Sequence, residues 1–348
     1  MKQLLRENNI RAIGPNALSP INVQGKFAVS FHEIKNINPG NLSLVFQSGL
    51  YEPAFEWLLS DFNFRFNKLI DLGNKMDINE VDALDYLVKD SVTRVIGIHM
   101  ESIGGDGRDF FRLMREARDK GKRVVIIKTG RTLAGAKAAA SHTGALVQGS
   151  DAVFDGALKQ VGAIRVDTIE SFFHVTRALD RFGQLSPSGN RIAIAMLPGG
   201  LGVMVTDLCE RSGLRMAEAG SAAIEKLRKI YPGWEIAPNP WDLGVTMQFN
   251  DQISVYGTWI EAMTEDENVD VLAFQVHQRM LMLGKDFLEI LVRPVKAGKP
   301  TAIWMNWKEA GTNDLLKWLE DNGVPVFLFP EKAIQGLVAL YQLTRPAT

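Results

Sequence analysis

The chain has 348 residues, 46% of them hydrophobic and 23% charged, and its 39 Lys+Arg against 40 Asp+Glu leave a formal net charge of −1. That length makes about two globular domains, each able to bury a core, and the apolar share with balanced charge excludes a disordered chain. Without a Lys/Arg run there is no footprint for a nucleic-acid backbone, and no stretch approaches the ~20 apolar residues of a membrane-spanning helix. Met1 to Glu7 lack the apolar core of a signal peptide, and a single cysteine, Cys209, excludes an internal disulfide framework and a multi-cysteine metal site. The expectation is a cytoplasmic α/β protein.

From Leu42 onward, β-branched apolar runs alternate with amphipathic stretches, the pattern of βα units around a parallel sheet covered on both faces. Strands are predicted at 42–46, 66–70, 94–98 and 123–127, and helices at 80–89, 109–120, 151–161 and 169–182. Gly121 suits the end of the second helix. Residues 184–190 cluster turn formers without apolar periodicity, which marks a linker between a first domain at 1–183 and a second at 191–348. Strands follow at 192–197, 271–274, 301–305 and 326–329, and a helix at 331–343 closes the chain. The layout is two tandem doubly wound parallel-sheet domains.

Each half opens with a buried strand running into a small-residue turn and then a helix: Gln47-Ser48-Gly49 in the first, Pro198-Gly199-Gly200-Leu201-Gly202 in the second. Glycine lets backbone N–H groups approach a ligand, and the helix N-terminus behind carries about half a positive charge, so either turn suits an anion; glycine also serves merely to turn the chain. The segment 129–146 follows a strand, is rich in Ala, Gly and Ser, and reads as a long functional loop. His142 stands in it between Ser141 and Thr143, where a neutral imidazole can act as a nucleophile if its other nitrogen is held. Glu101, after the strand 94–98, falls at the same sheet edge and can hold that nitrogen, or is a solvated strand-end carboxylate. His32, His99, His174 and His277 read as packed or solvated side chains, and no metal site is expected because no histidine pair has ligand spacing.

The run Gly130-Arg131-Thr132 through Ala139-Ala140-Ser141-His142-Thr143-Gly144 closely resembles the phosphohistidine segment of the NDP-forming acyl-CoA synthetases, relatives of succinyl-CoA synthetase. Further matches follow in the family's order: Gly14-Pro15-Asn16, Gln47-Ser48-Gly49, Gly73-Asn74-Lys75 with Asp77, Glu80 and Asp82, Gly199-Gly200 with Gly202, and Asn239-Pro240-Trp241-Asp242. The resemblance covers nearly the whole chain and implies the family's two central flavodoxin-like domains. It implies an ADP-forming ligase component, in which acyl-CoA, phosphate and ADP become acid, CoA and ATP through an acyl phosphate and a phosphohistidine. His142 matches the phosphorylated histidine and Glu101 the glutamate that holds it. Gln47-Ser48-Gly49 and Gly199-Gly200-Leu201-Gly202 match the two helix N-termini that grip the phosphate.

Asn74 and Lys75 fall where the family's acyl group is expected nearby, though Lys75 reads equally as an ordinary surface lysine. Where many relatives carry a cysteine and a glycine after Gly-Pro-Asn, this chain has Ala17-Leu18-Ser19. The family's CoA-binding domain and its ATP-grasp domain are not matched, so CoA, ATP or ADP and Mg²⁺ are expected on other domains or subunits. The expected partners are an ATP-grasp subunit or domain, a CoA-binding domain and a small carboxylic acid or its acyl-CoA, within an oligomer. Two other readings stay open: a non-catalytic or regulatory paralogue, and a fragment of a larger acyltransferase that uses these domains as a sensor.

Overall fold

In the computed structural model, residues 1–345 are described apart from 32, 35–36, 48, 50, 52–58, 60–62, 144–149, 198, 234 and 307–310, with only the backbone described at 142 and 143. The chain divides into two compact units, Met1–Asp180 and Arg181–Thr344.

The first unit is built on a seven-stranded sheet in the order β2-β1-β4-β3-β5-β6-β7. Its strands are β1 (Ile21–Asn22), β2 (Phe27–Ala28), β3 (Pro39–Phe46), β4 (Phe66–Asp71), β5 (Val95–Met100), β6 (Arg123–Lys128) and β7 (Ile164–Val166). From β3 to β7 the pairing is parallel, whereas β1 and β2 add an antiparallel ribbon beside β4. β5 is buried along its whole length, as expected of a strand covered on both faces. One face packs Ile96, Ile98 and Met100 against the helices Glu80–Lys89 and Gly107–Asp119 through Leu84, Leu87, Phe110 and Leu113. On the other face the helix Ile169–Arg181 crosses over Gly97, where a Cβ would lie 2.8 Å from the Phe172 ring.

Six parallel strands form the second unit's sheet: β8 (Arg191–Met196), β9 (Arg215–Met216), β10 (Trp241–Asp242), β11 (Val271–Gln275), β12 (Thr301–Trp304) and β13 (Val326–Phe327). The order is β10-β8-β11-β12-β13, and β9 joins β8 at its other end from β10. Among the described residues, Trp241, Trp259 and Trp304 lie in its core, at most 1% exposed. β13 stops two residues short of the predicted end because Pro330 opens the helix Pro330–Gln342, and Leu328 and Phe329 turn out to solvent. Among the described residues, no helix is long and apolar enough to cross a membrane.

Residues 184–190 are held against the second unit. The Ser188 hydroxyl donates to Asp270 Oδ1 at 2.8 Å, and the Arg191 amide and Nε donate to Asp270 Oδ2 at 2.8 and 2.9 Å. Burial alone pushes the Asp270 carboxyl up, but the Arg191 and Ser188 bonds outweigh it and hold the group below its ordinary range. A Cβ on Gly189 would lie 2.5 Å from Asp270 Oδ2. Gly189→Ala is therefore expected to destabilise this unit by about 1–3 kcal/mol, read as a lower urea midpoint at unchanged slope. A midpoint equal to the parent's would contradict the close approach.

Candidate active site

The parallel core of each sheet has the flavodoxin order about its first strand: β4 lies on one side of β3 and β5 on the other, and β10 lies on one side of β8 and β11 on the other. The chain thus leaves the first strand in two opposite directions and opens a crevice at its carboxyl end, where such folds bind ligands. In the first unit that crevice lies between the ends of β3 and β5. Gln47 and Glu101 occupy it and are joined twice: Gln47 Nε2 donates to Glu101 Oε2 at 3.2 Å, and the Glu101 amide donates to Gln47 Oε1 at 3.0 Å. Gln47 is 4% exposed, and its own amide donates to the His99 carbonyl at 3.2 Å. Ser48 lies outside the described residues. Gly49 has a packing reason to be glycine, since a Cβ there would fall 2.3 Å from Leu18 Cδ1.

A second group of motifs comes together at the end of β4. Asp71, fully buried, accepts from the Leu18 amide at 2.6 Å and from the Gly73 amide at 3.0 Å, while the Asn74 amide donates to the Pro15 carbonyl at 2.8 Å. Burial pushes the Asp71 carboxyl up against the opposing pull of these amides. Gly73 has φ +53°, and a Cβ on it would lie 2.3 Å from the Pro15 carbonyl oxygen, so the Gly14-Pro15-Asn16 segment sits directly on it. Lys75 is neither a surface lysine nor a free cation for an acyl carboxylate. Its side chain is 7% exposed and its ammonium donates to Glu80 Oε1 at 2.6 Å and to the Ser102 carbonyl at 2.7 Å.

The histidine segment is not the loop that its composition suggests. Residues Leu133–Thr143 form a helix, capped by Thr132 Oγ1, which accepts from the Gly135 amide at 3.0 Å. Alanine has the highest helix propensity, and five of them, at 134, 136 and 138–140, favour the helix although none of residues 133–141 is buried. His142 is in the last turn of this helix; its side chain and residues 144–149 lie outside the described set. What is described is the attachment: the Thr129 amide donates to the Met100 carbonyl at 3.0 Å, one residue before Glu101. Further along, Arg131 Nε pairs with Asp151 Oδ2 at 3.0 Å, and Arg131 Nη1 with Asp167, so the base of the segment is closed onto the next helix, Asp151–Val161.

His99, within β5, is buried with neither ring nitrogen hydrogen-bonded, and desolvation lowers it to about 4, so it is neutral near physiological pH. It meets the Tyr51 ring edge-on at 5.4 Å. His277 caps a 3₁₀ turn through Nδ1, and His174 lies in the helix Ile169–Arg181. His32 is outside the described residues.

In the second unit, Gly199–Leu201 form a 3₁₀ turn leading into the helix Gly202–Arg211. The Gly199 amide is taken by Asp242 Oδ2 at 2.8 Å, while Asp242 Oδ1 accepts from the Gly244 amide at 2.9 Å. Gly200 is exposed with open space around its Cβ position, whereas a Cβ on Gly202 would meet Pro240 Cγ at 3.0 Å. The Leu197 amide donates to Gln275 Oε1 at 2.9 Å across the ends of β8 and β11. Asp242 therefore repeats Asp71: each ends the strand paired alongside the crevice strand, β4 beside β3 and β10 beside β8, takes the amide two residues on, and takes one from a distant turn. The sequence carries this as Asp71-Leu72-Gly73 and Asp242-Leu243-Gly244, a repeat that motif reading passed over though it was there to be found.

Fold and crevices together define a pair of flavodoxin-like ligase domains. The family described as "Succinyl-CoA ligase like flavodoxin domain" matches residues 39–179. Subunit alpha of acetate–CoA ligase (ADP-forming) I from Pyrococcus furiosus is 33% identical over 352 residues, covering 98% of this chain and 72% of that protein. Acetate–CoA ligase (ADP-forming) II from Archaeoglobus fulgidus is 33% identical over 327 residues, 93% of this chain and 47% of that one. Among solved structures, the acetyl-coenzyme A synthetase 1 of Ca. Korarchaeum cryptofilum in complex with phosphate and ADP aligns with a TM-score of 0.84 at 27% identity, over 99% of this chain and 73% of that one. The chain belongs to the ADP-forming acyl-CoA synthetase family, related to succinyl-CoA synthetase. It spans about half the length of the A. fulgidus enzyme and 72% of the P. furiosus alpha subunit.

Proposed function

We propose that this chain is the phosphohistidine-bearing component of an ADP-forming acid–CoA ligase, working in the cytoplasm with an ATP-grasp subunit or domain and a CoA-binding domain. Phosphate displaces CoA from an acyl-CoA to give an acyl phosphate. One imidazole nitrogen of His142 then attacks phosphorus, the P–O bond to the acyl oxygen breaks, and the free carboxylate leaves. The phosphohistidine finally passes its phosphoryl group to ADP. Glu101 orients the imidazole by accepting from its other N–H and stabilises the cation formed as phosphorus bonds. In each of the turns at 47–49 and 199–202, the N–H groups other than those of Gln47 and Gly199, which the His99 carbonyl and Asp242 already take, supply dipoles to phosphate oxygens, which suits phosphoryl transfer because positioning and electrostatics do most of the work.

The observation that carries this reading is the joined Gln47–Glu101 pair at the first unit's crevice, with the histidine segment leaving the adjacent strand end through the Met100–Thr129 bond. In the test, the chain is incubated with radiolabelled acetyl phosphate and analysed for acid-labile phosphate. Label on the parent and none on His142→Ala is expected; equal label on both would overturn the proposal.

A further inference from the structure

The loop that carries Glu101 is gripped from two sides. Gln47 holds Glu101 itself, as described above. On the far side, Lys75 Nζ donates to Glu80 Oε1 at 2.6 Å, to the Ser102 carbonyl at 2.7 Å and to Ser102 Oγ at 3.3 Å, so all three ammonium protons have acceptors. Glu80 is fully buried at the first turn of the helix Glu80–Lys89, and its second oxygen, Oε2, accepts from the Gly104 amide at 3.0 Å. The backbone is pressed down as well: a Cβ on Gly104 would lie 2.9 Å from Asn79 Cβ, and one on Gly105 would lie 2.8 Å from Val81 Cγ2.

Burying an ammonium and a carboxylate costs more than their attraction returns unless the remaining protons and lone pairs are also satisfied. Here that satisfaction comes from Ser102 and Gly104, one and three residues past Glu101. The ion pair is therefore low in energy only with the loop in one place.

We infer that Lys75 and Glu80 are positioning residues for Glu101, acting through Ser102 and Gly104; this rests on the role of Glu101 proposed above. Their buried pair is an anchor that sets where the carboxylate stands, and neither touches the phosphate.

The double variant Lys75→Met/Glu80→Gln removes both charges at nearly constant volume, which avoids stranding one of them. Two measurements on the full chain judge it. Amide hydrogen exchange is expected to speed up about tenfold or more at Gly104 and Glu101 while Ile98 in β5 stays protected. Phosphate transfer onto His142 from acetyl phosphate is expected to slow about tenfold or more, and adding Glu101→Gln to the double variant is expected to slow it no further than Glu101→Gln alone. Parent-like exchange at Glu101, or losses that multiply in full with Glu101→Gln, would overturn the inference. A parent chain that takes no phosphate on His142 overturns the functional reading instead, and the exchange measurement still decides whether the anchor holds the loop.

Discussion

Glu101→Gln is expected to slow phosphate transfer onto His142 by about 10²- to 10⁴-fold with little change in stability. The substitution keeps the shape of the side chain, and both bonds to Gln47 survive it. The Glu101 amide still reaches Gln47 Oε1, at 3.0 Å in the parent, and the new side-chain oxygen takes the place of Oε2 opposite Gln47 Nε2, at 3.2 Å. What goes is the charge together with one acceptor, since the other carboxylate oxygen becomes an NH₂ donor. That NH₂ cannot accept from the imidazole N–H, and a neutral amide cannot balance the positive charge that the ring acquires as phosphorus bonds to it. Single-turnover labelling of parent and variant measures the ratio, and thermal melting confirms that the fold is intact. A loss smaller than about tenfold would remove Glu101 from this role.

At the amino edge of the same sheet, Lys68→Met is expected to cost about 3–5 kcal/mol. The Lys68 ammonium, on a side chain 5% exposed, pairs with Asp90 Oδ1 at 2.7 Å. Asp90 Oδ2 accepts from Asn67 Nδ2 and Thr93 Oγ1, both at 2.6 Å, and from the Thr93 amide at 2.8 Å; Thr93 Oγ1 in turn meets Ser43 Oγ at 2.8 Å. One carboxylate thus ties the start of β4 to the residues before β5 and, through Thr93, to the middle of β3. Methionine fills the space of the lysine stem but strands that carboxylate without its counter-charge. Burial alone raises the Asp90 carboxyl, yet the bonds from Lys68 and Thr93 outweigh it and leave the group well below the ordinary range. A depressed carboxyl stabilises the fold above its unfolded value and loses that contribution on acidification. The parent should therefore lose stability as pH falls below about 4, more steeply than the variant, whose Asp90 has lost its counter-charge. Urea titrations at several pH values measure both effects, and a variant with the parent's midpoint at neutral pH would contradict the first.

The strands were legible because parallel strands covered on both faces read as unbroken apolar runs, as at 95–98 and 124–127. Helices with an apolar stripe, such as Glu80–Lys89 and Asp151–Val161, were legible to the residue. The helix Leu133–Thr143 was missed because its described side chains, at 133–141, bury no stripe, so periodicity is silent and only alanine's propensity speaks. β9 and β10 have two residues each, too few for any alternation to show. Glu101 and Gln47 were found as types of residue at strand ends, and Asn74 and Lys75 through the family resemblance alone. Their partners were not, because the Gln47–Glu101 contact spans 54 positions and arises from strand order, which spacing along the chain does not reveal.

The helix that ends in His142 also limits how far that residue travels. Nine residues separate Leu133 from His142, so at 1.5 Å per residue the histidine's backbone stands about 14 Å from the start of the helix. The Arg131–Asp151 pair fixes the point of attachment just before it. As long as the helix keeps its turns, every place that His142 visits lies on a sphere of that radius. An acceptor site farther than about 28 Å from its resting position is reached only by unwinding the rod or by carrying the whole unit along.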